Sequence, residues 1–390
     1  MTAEQLLTAD LESVGRSRTE ESATVAAIRT SWALVEPHTA EVARLFYATL
    51  FAHAPQTREL FPVNMEVQRS RLLRALVHVV HMFDHPDELV PFVEQLGRDN
   101  RKFGVLSEHY DAVGHALLSA VAGFADEAWT IEVEKSWREA YDMVASAMSE
   151  AAAAERGPAS WLGRVVEHER LGWDIARITV QTSEPLPYRA GQYVSVETPQ
   201  RPRLWRYLSP ANAPREDGSL TFHVRAVNGG WVSRAVVAHS RVGDTWRIGP
   251  AMGRMTVDPG SEREVLMIAG GTGMAPIKAL LEGLARRDDP PRTQVFVGGR
   301  SWDDLYDFPA LRKLSYDNPW LDVVPVVERD DADSGAEVGT LADVVTRYGS
   351  WADHDAIVCG SPAMIRATVS RMLVAGTPLD RIRYDPFTMD

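Results

Sequence analysis

A multidomain chain in three successive architectures, an all-α module, an antiparallel β-barrel and a doubly wound α/β sheet, is predicted by three observations. The 390 residues exceed what one hydrophobic core fills, since cores stop growing at about 250–300 residues. Apolar residues recur at helical spacing to about residue 152, at strand spacing to about 259, and in alternating strand and helix segments beyond it. Glycine and proline at Gly157 and Pro158 mark the first change of period.

Residues 1–22 are polar and acidic without periodicity and are expected to form a mobile tail. Over 23–153 three apolar stripes follow one another: Leu72, Leu73, Leu76, Val79, Val80 and Phe83; then Tyr110, Val113, Leu117, Val121 and Phe124; then Val133, Trp137, Tyr141, Val144 and Met148. Pro37, Pro55, Pro62, Pro86 and Pro91, read as first-turn or loop positions, divide the region into six to eight helices. Over 158–259 the segments Trp161–Val166, Ile175–Thr182, Gln192–Glu197, Leu220–Val227 and Thr245–Ile248 are short and β-branched, which predicts the barrel. Over 262–390 the strands Val265–Ala269, Gln294–Gly298 and Ala356–Val358 alternate with helices at Pro276–Arg286 and Ala363–Val374, which predicts a parallel sheet.

Composition narrows the function. A net charge of −13 excludes nucleic acid and anionic membranes as expected partners, because both need a basic footprint. Residues 1–150 carry 13 Lys+Arg against 23 Asp+Glu, so most of the charge sits in the helical module. One cysteine, Cys359, excludes a disulfide framework and thiolate-built metal sites, so any metal depends on histidine or carboxylate. With no leader pattern and no long apolar run, a cytoplasmic protein without a membrane span is expected.

Three motifs carry chemistry. Gly270-Gly271-Thr272-Gly273, with Pro276 following, links a strand to a helix, where free N–H groups face a pyrophosphate. Arg206-Tyr207-Leu208-Ser209 ends a barrel strand, and Gly229-Gly230-Trp231-Val232-Ser233 opens a helix. Cys359-Gly360-Ser-Pro-Ala-Met364 ends a later strand. Arg300, after the second strand of the α/β module, stands where a ribose 2′-phosphate could meet it, or is a solvated arginine, so NADH and NADPH both remain open.

With Tyr188-Arg-Ala-Gly-Gln-Tyr193, these motifs make residues 160–390 resemble the ferredoxin–NADP reductase family, which implies FAD on the barrel and NAD(P)H on the α/β module. The resemblance implies that Arg206 neutralises the FAD pyrophosphate, Ser209 bonds near flavin N5, and Gly230, Val232 and Ser233 supply donors to the diphosphate. It makes Tyr188 part of the FAD site, Gly271, Thr272, Gly273, Cys359, Gly360 and Met364 the nicotinamide site, and Phe387 the aromatic cover of the flavin. The family's tyrosine is replaced by Leu208, and Tyr207 faces the other side of the strand, so one hydrogen bond is lost and weaker or altered flavin binding is expected. Cys359 is expected to be a small residue beside the cofactor rather than a catalytic thiol.

The helical module resembles the globin of bacterial flavohaemoglobins through Phe46-Tyr47, Phe61, Gln68-Arg69, Leu72, Val93-Glu94, Lys102-Phe103-Gly104-Val105, Tyr110, Glu132 and Trp137. That likeness implies haem b, with Tyr47 and Gln68 bonding iron-bound dioxygen, Phe61 wedging the haem and Leu72 roofing the pocket. Tyr110 and Glu132 would orient the proximal imidazole. In the register of Phe103-Gly104-Val105 and Tyr110, however, that imidazole falls on Asn100, whose amide cannot replace the axial bond. His78 and His81 face away from the pocket, and His109 and His115 would need a rearranged one.

Two enzymatic readings follow from the resemblance. In the first, NAD(P)H reduces FAD, FAD passes single electrons to haem, and the oxygenated globin converts nitric oxide to nitrate. In the second, the chain is a haem-free NAD(P)H–flavin reductase whose globin is a scaffold or holds another ligand. A non-enzymatic sensor is the third. The sequence leaves the oligomeric state open.

Overall fold

The computed structural model describes residues 23–329 and 335–385. The predicted tail 1–22, part of the acidic stretch 330–337 and Phe387 lie outside the described residues. The chain divides into two compact units, the first ending at Ala159 and the second beginning at Ser160.

The first unit is helical throughout. Helices α1 (residues 23–35), α2 (Thr39–His53), α3 (Glu66–Met82), α4 (Pro86–Asn100), α5 (Ser107–Ala125) and α6 (Ile131–Ala154) are joined by short 3-10 turns. Pro37, Pro55 and Pro86 take first-turn positions, as expected of a residue without an N–H. Pro91 does not: it lies inside α4, and the apolar stripe Leu89, Val93 and Gly97 carries the helix through it. One core gathers Ile28, Trp32, Phe46, Tyr47, Leu50, Leu76, Val121 and Trp137, and a smaller one gathers Leu89, Val93 and Met148. The face of α5 buried in the larger core includes the small residues Ala112, Ala116 and Ala120, so the expected stripe of large residues is only part of its packing.

Helices α4 and α6 cross at Gly97. A Cβ there would lie 2.2 Å from the Met148 carbonyl oxygen, so the crossing exists only because residue 97 has no side chain. The contact fixes the height at which the last turn of α4, ending in Asn100, meets α6.

The second unit holds two sheets. The barrel sheet is antiparallel, in the order β4 (Arg201–Leu208), β3 (Tyr193–Thr198), β6 (Thr245–Met252), β1 (Trp161–Arg170), β2 (Ile175–Thr182), β5 (Ser219–Arg225), with helix α7 (Trp231–His239) packed on it. Alternate residues Val165, Ile178, Val180, Val194, Val196, Phe222, Trp246 and Ile248 fill its core. The second sheet is parallel, in the order β10 (Glu337–Val338), β9 (Leu321–Val327), β8 (Thr293–Gly299), β7 (Val265–Gly270), β11 (Asp355–Cys359), β12 (Ile382–Arg383). On one face Val265, Met267 and Ala269 pack under α8 (Met274–Leu284) and α9 (Phe308–Asp317); on the other Leu266 and Ile268 pack under α10 (Leu341–Arg347) and α11 (Pro362–Val374). Two covered faces make the sheet doubly wound, as predicted. Four strands go beyond the segments expected from the sequence: β4, which is rich in arginine, β9, and the two-residue β10 and β12.

The barrel and the α/β module are joined by polar contacts. His223 on β5 meets Tyr306 Oη through Nδ1 at 2.9 Å, and Arg225 pairs with Asp304 at 2.9 Å and Asp174 at 3.4 Å. Burial pushes the His223 imidazole down to about 4 and the Tyr306 phenol up, so a neutral ring and a neutral phenol share this hydrogen bond. Arg286 donates to the Pro214 carbonyl at 2.7 Å, and Arg383 to that of Thr256 at 2.6 Å.

Gly97→Ala should destabilise the first unit by about 1–3 kcal/mol through overpacking against Met148. Urea denaturation followed by helical circular dichroism measures it, and an unchanged midpoint would show that the helices separate freely there.

Candidate active site

Strand order reverses at β7. Its neighbours β8 and β11 are reached by connections running to opposite sides, and the crevice beyond the carboxyl ends of β7 and β11 is where open α/β sheets bind ligands. The predicted motifs converge there. Gly271 takes φ +56°, and a Cβ on Gly273 would lie 2.4 Å from the Cys359 carbonyl oxygen. Met364 packs over Gly270 and Gly360, where added Cβ atoms would lie 2.9 and 2.2 Å from its Cε. A 3-10 turn, Gly271–Gly273, runs into α8: the Met274 N–H is taken by the Gly271 carbonyl, the turn itself has no side-chain cap and so leaves its own N–H groups for a ligand, and Pro276 is buried in the first turn of α8. Thr272 is half-buried in the turn. The donor set fits a dinucleotide pyrophosphate.

Cys359 is buried, and its Sγ donates to Met255 Sδ at 3.1 Å. Burial pushes the thiol well above its ordinary value, so it stays protonated, in keeping with a spacer beside the cofactor. Arg300 is exposed, and its main-chain N–H donates to Asp304 Oδ2 at 3.1 Å.

The flavin side is built on β4 and α7. Arg206 is half-buried and donates to the Trp205 carbonyl. Tyr207 stands on the opposite face from Leu208, as strand parity requires: its ring meets Tyr193 at 5.1 Å, while Leu208 packs with Tyr188 against the barrel core. Tyr188 donates to the Asn212 carbonyl at 2.9 Å. Helix α7 starts without a side-chain cap; Ser233 Oγ accepts from the Val227 N–H, and Val232 anchors the turn in the core. A Cβ on Gly230 would lie 2.5 Å from Ser233 Oγ, so only glycine leaves these donors accessible. Ser209, half-buried, directly follows β4. An arginine, uncapped helix N–H groups and an apolar wall fit a flavin diphosphate.

One group at this site was missed by sequence reasoning. Asp385 is 6% exposed, its Oδ2 has no hydrogen-bond partner among the described residues, and it packs at Gly253, whose Cβ would lie 2.9 Å from that oxygen and from the Tyr193 ring. Burial raises its carboxyl to about 6 against the opposing pull of an Arg254 backbone hydrogen bond. Its position two residues before Phe387 was the only sequence signal.

In the helical unit Tyr47, Phe61 and Leu72 share one cluster. Tyr47 Oη donates to the Gln68 carbonyl at 3.3 Å, and its ring meets Phe61 edge-on at 5.4 Å. Burial raises the Tyr47 phenol. Tyr110 belongs to the second cluster, with Leu89, Val93 and Met148, and its carbonyl accepts from Tyr141 Oη at 2.5 Å. Glu132 requires a correction. It is exposed on the first turn of α6, sixteen residues before Met148 and thus about 24 Å from the α4 crossing, too far to orient a ligand at residue 100.

Asn100, half-buried, is the last residue of α4. No described imidazole of this unit replaces the missing ligand. His109 Nδ1 accepts the Leu106 N–H at 3.0 Å, which places the proton on Nε2 and leaves no free lone pair. His78 packs edge-on against Phe92, His53 meets His115 at a tilt and His38 stacks on Phe124, while His81 and His85 are exposed. The Lys102 ammonium is held by Asp99 at 2.5 Å.

Family models match this architecture in three parts: a globin over residues 44–148, an oxidoreductase FAD-binding domain over 163–256 and an oxidoreductase NAD-binding domain over 267–370. A flavohemoprotein of Deinococcus radiodurans is 30% identical over 351 residues, covering 84% of each chain. The chain belongs to the flavohaemoprotein family. The reductase component of the naphthalene 1,2-dioxygenase system of Pseudomonas putida is 31% identical over 226 residues, 58% of this chain and 68% of that one. A solved flavohemoglobin from Malassezia yamatoensis shares the fold, with TM-score 0.78 at 17% identity over 93% of this chain and 98% of that one. This flavohaemoprotein is therefore an NAD(P)H-dependent flavin oxidoreductase, in a family whose electron path runs from NAD(P)H through FAD to the globin and whose typical chemistry is nitric oxide dioxygenation. No helix among the described residues is long and apolar enough to cross a membrane.

The FAD and NAD(P)H sites fit their cofactors; the haem site fits in part. Its distal wall is present, but the donor at the proximal position is an amide, not an imidazole.

Asp385 gives this site a pH signature. A folded value near 6, above the ordinary 3.8, means that the folded chain retains a proton the unfolded chain releases, so stability falls as pH rises from about 4 to 6. In flavin-free protein, Asp385→Asn should gain about 3 kcal/mol over wild type at pH 7.5 and little at pH 4, at 1.36 kcal/mol per unit. Equal gains at both pH values in urea titrations would remove the buried acid from the argument.

Proposed function

We propose that this chain is an NAD(P)H:acceptor reductase whose electrons leave from FAD, with the haem chemistry of the family curtailed by the missing axial ligand. Asn100 carries this reading, because no described imidazole stands in for it. FAD, when bound, accepts hydride from the nicotinamide and passes electrons on singly or in pairs. The residues around it set that transfer up. Gly273 and Gly360 let the turn after β7 and the end of β11 pack closely together at the dinucleotide site, Leu208 and Tyr188 form the apolar wall of the flavin pocket, and Asp385 holds or releases a proton at Oδ2. The buried Cys359 thiol stays protonated and takes no nucleophilic part.

Dioxygen, a quinone or a partner redox protein are the acceptor classes that suit a flavin edge. NADH is the preferred donor in this reading, because Asp303 and Asp304 flank Arg300 and disfavour a 2′-phosphate. A cytoplasmic setting accords with NAD(P)H as donor and with the unpaired thiol. The buried Tyr47 and its contact with Gln68 favour a second reading, in which haem is still held by the apolar walls of the pocket and the dioxygenase activity is weakened rather than lost.

Protein expressed with haem precursor should show a flavin absorption band and NADH-to-dye activity without a Soret band. Asn100→His should bring a full Soret band and NADH-dependent haem reduction. A strong Soret band in the wild type would overturn the reading, and its absence in Asn100→His would displace the proximal site from residue 100. Arg206→Ala should lower flavin content; unchanged content would free Arg206 from its assigned role.

A further inference from the structure

Of the five asparagines in the chain, only Asn228 is followed by glycine. Asn228 and Gly229 are the central residues of the turn between β5 and α7. The Gly230 N–H donates to the Val227 carbonyl at 3.0 Å and Gly229 takes φ +76°, which makes the turn type II. Both residues are exposed, and the space where a Gly229 Cβ would stand is open to 4 Å. The other asparagines are placed differently. Asn212 is fully buried, with its amide donating to Tyr188, Ala213 and Ser219. Asn318 precedes a proline, which has no N–H, and Asn64 and Asn100 precede Met65 and Arg101, whose long side chains crowd the main-chain nitrogen.

An uncrowded main-chain nitrogen beside an exposed amide carbon is a reactive pair. The Gly229 nitrogen attacks Asn228 Cγ, the new C–N bond closes a succinimide ring, the Cγ–Nδ2 bond breaks, and ammonia leaves with the Gly229 proton. Water then opens the ring at either carbonyl. Opening at Cγ leaves an aspartate; opening at the Asn228 main-chain carbonyl leaves an isoaspartate, whose main chain runs through Cβ and Cγ. Water is consumed, ammonia is released, and nothing is oxidised or reduced. We propose that Asn228 is a modification site of this kind, reactive in the flavin-free chain and protected when FAD is bound. The attack requires rotation about Asn228, which opens the turn. That turn leads straight into Gly230 and the uncapped start of α7, the donors read as holding the FAD diphosphate, and Ser233 Oγ accepts from the Val227 N–H at 3.4 Å on its other side. A bound diphosphate therefore holds the turn closed, and either product sets a carboxylate beside the donors that the diphosphate needs. The inference rests on the FAD reading of the barrel and adds to it a limited lifetime for the empty site.

The test ages the full-length protein in mildly alkaline buffer, deflavinated and FAD-loaded side by side, and reads residue 228 by peptide mass spectrometry and isoaspartate detection. The peptide holding Asn228 should gain the mass of an amide-to-acid exchange, roughly fivefold or more faster without FAD than with it. The aged deflavinated protein should then bind FAD about three- to tenfold more weakly, by a factor that shrinks at high salt. Asn228→Asp should show that loss when fresh. Asn228→Gln, which needs a larger ring to react, should bind FAD as wild type does and keep its affinity on ageing. No conversion at residue 228, or conversion no faster there than at Asn64, would overturn the proposal. Equal rates with and without FAD would overturn it as well, by separating the turn from the diphosphate. Fresh wild type that takes up no FAD would overturn the FAD reading of the barrel, and conversion at 228 in that protein would still uphold the modification site.

Discussion

The reductase unit depends on a backbone meeting a backbone. At residue 273 the chain leaving β7 passes so close to the carbonyl of Cys359 that no side chain fits between them. This approach brings the carboxyl ends of two adjacent parallel strands to one crevice and sets the uncapped N–H groups of the turn Gly271–Gly273, ahead of α8, beside it. The remaining parts of the site are arranged around that contact. Met364 fills the space over Gly270 and Gly360, and Met255 crosses from the barrel side to reach the Cys359 sulfur. A cofactor on the barrel and a cofactor on the sheet are thereby brought to one place by short-range sterics, which hold position better than side-chain contacts could.

The helical unit shows the reverse case, a site whose walls outlast its central donor. Tyr47 remains buried with its hydroxyl satisfied by the Gln68 carbonyl, and Phe61 and Leu72 remain packed around it. Keeping a phenol in that position costs little because its hydrogen bond is internal to the protein. Tyr110 is tied by its carbonyl to Tyr141 and by its ring to the α4–α6 cluster, so it has structural work that does not require a metal. Packing accounts for these residues with or without iron, whereas residue 100 supplies or withholds the axial donor itself.

Much of this was legible in the sequence. The change of period at the linker, the order of the three architectures, the glycine-rich turn and the parity that separates Tyr207 from Leu208 all follow from local rules, and local rules are what a sequence displays. The strand β4 was hidden because its arginines mask strand propensity, and Pro91 misled because tertiary packing tolerates it inside α4. Glu132 was placed by matching residue types, without the helix length that sets it far from the α4 crossing. Asp385 was invisible because its chemistry comes from burial beneath Gly253 and Tyr193, residues remote in sequence. The replacement of histidine by Asn100 was plain; that His109 spends its lone pair on the Leu106 amide needed coordinates.

The polar clasp between barrel and sheet bears on how the reductase half comes apart. His223 with Tyr306, and Arg225 with Asp304, pair residues of the barrel strand β5 with residues of the connection between β8 and α9, and they lie partly or wholly out of water. Opening the seam strands a neutral imidazole, a phenol and two charges at once, while the hydrophobic cores on either side lose their shared boundary. Partial melting of either sheet therefore has little to recommend it. Two modules that read as separate inventions in the sequence should behave in the folded protein as a single cooperative foldon, lost or kept together.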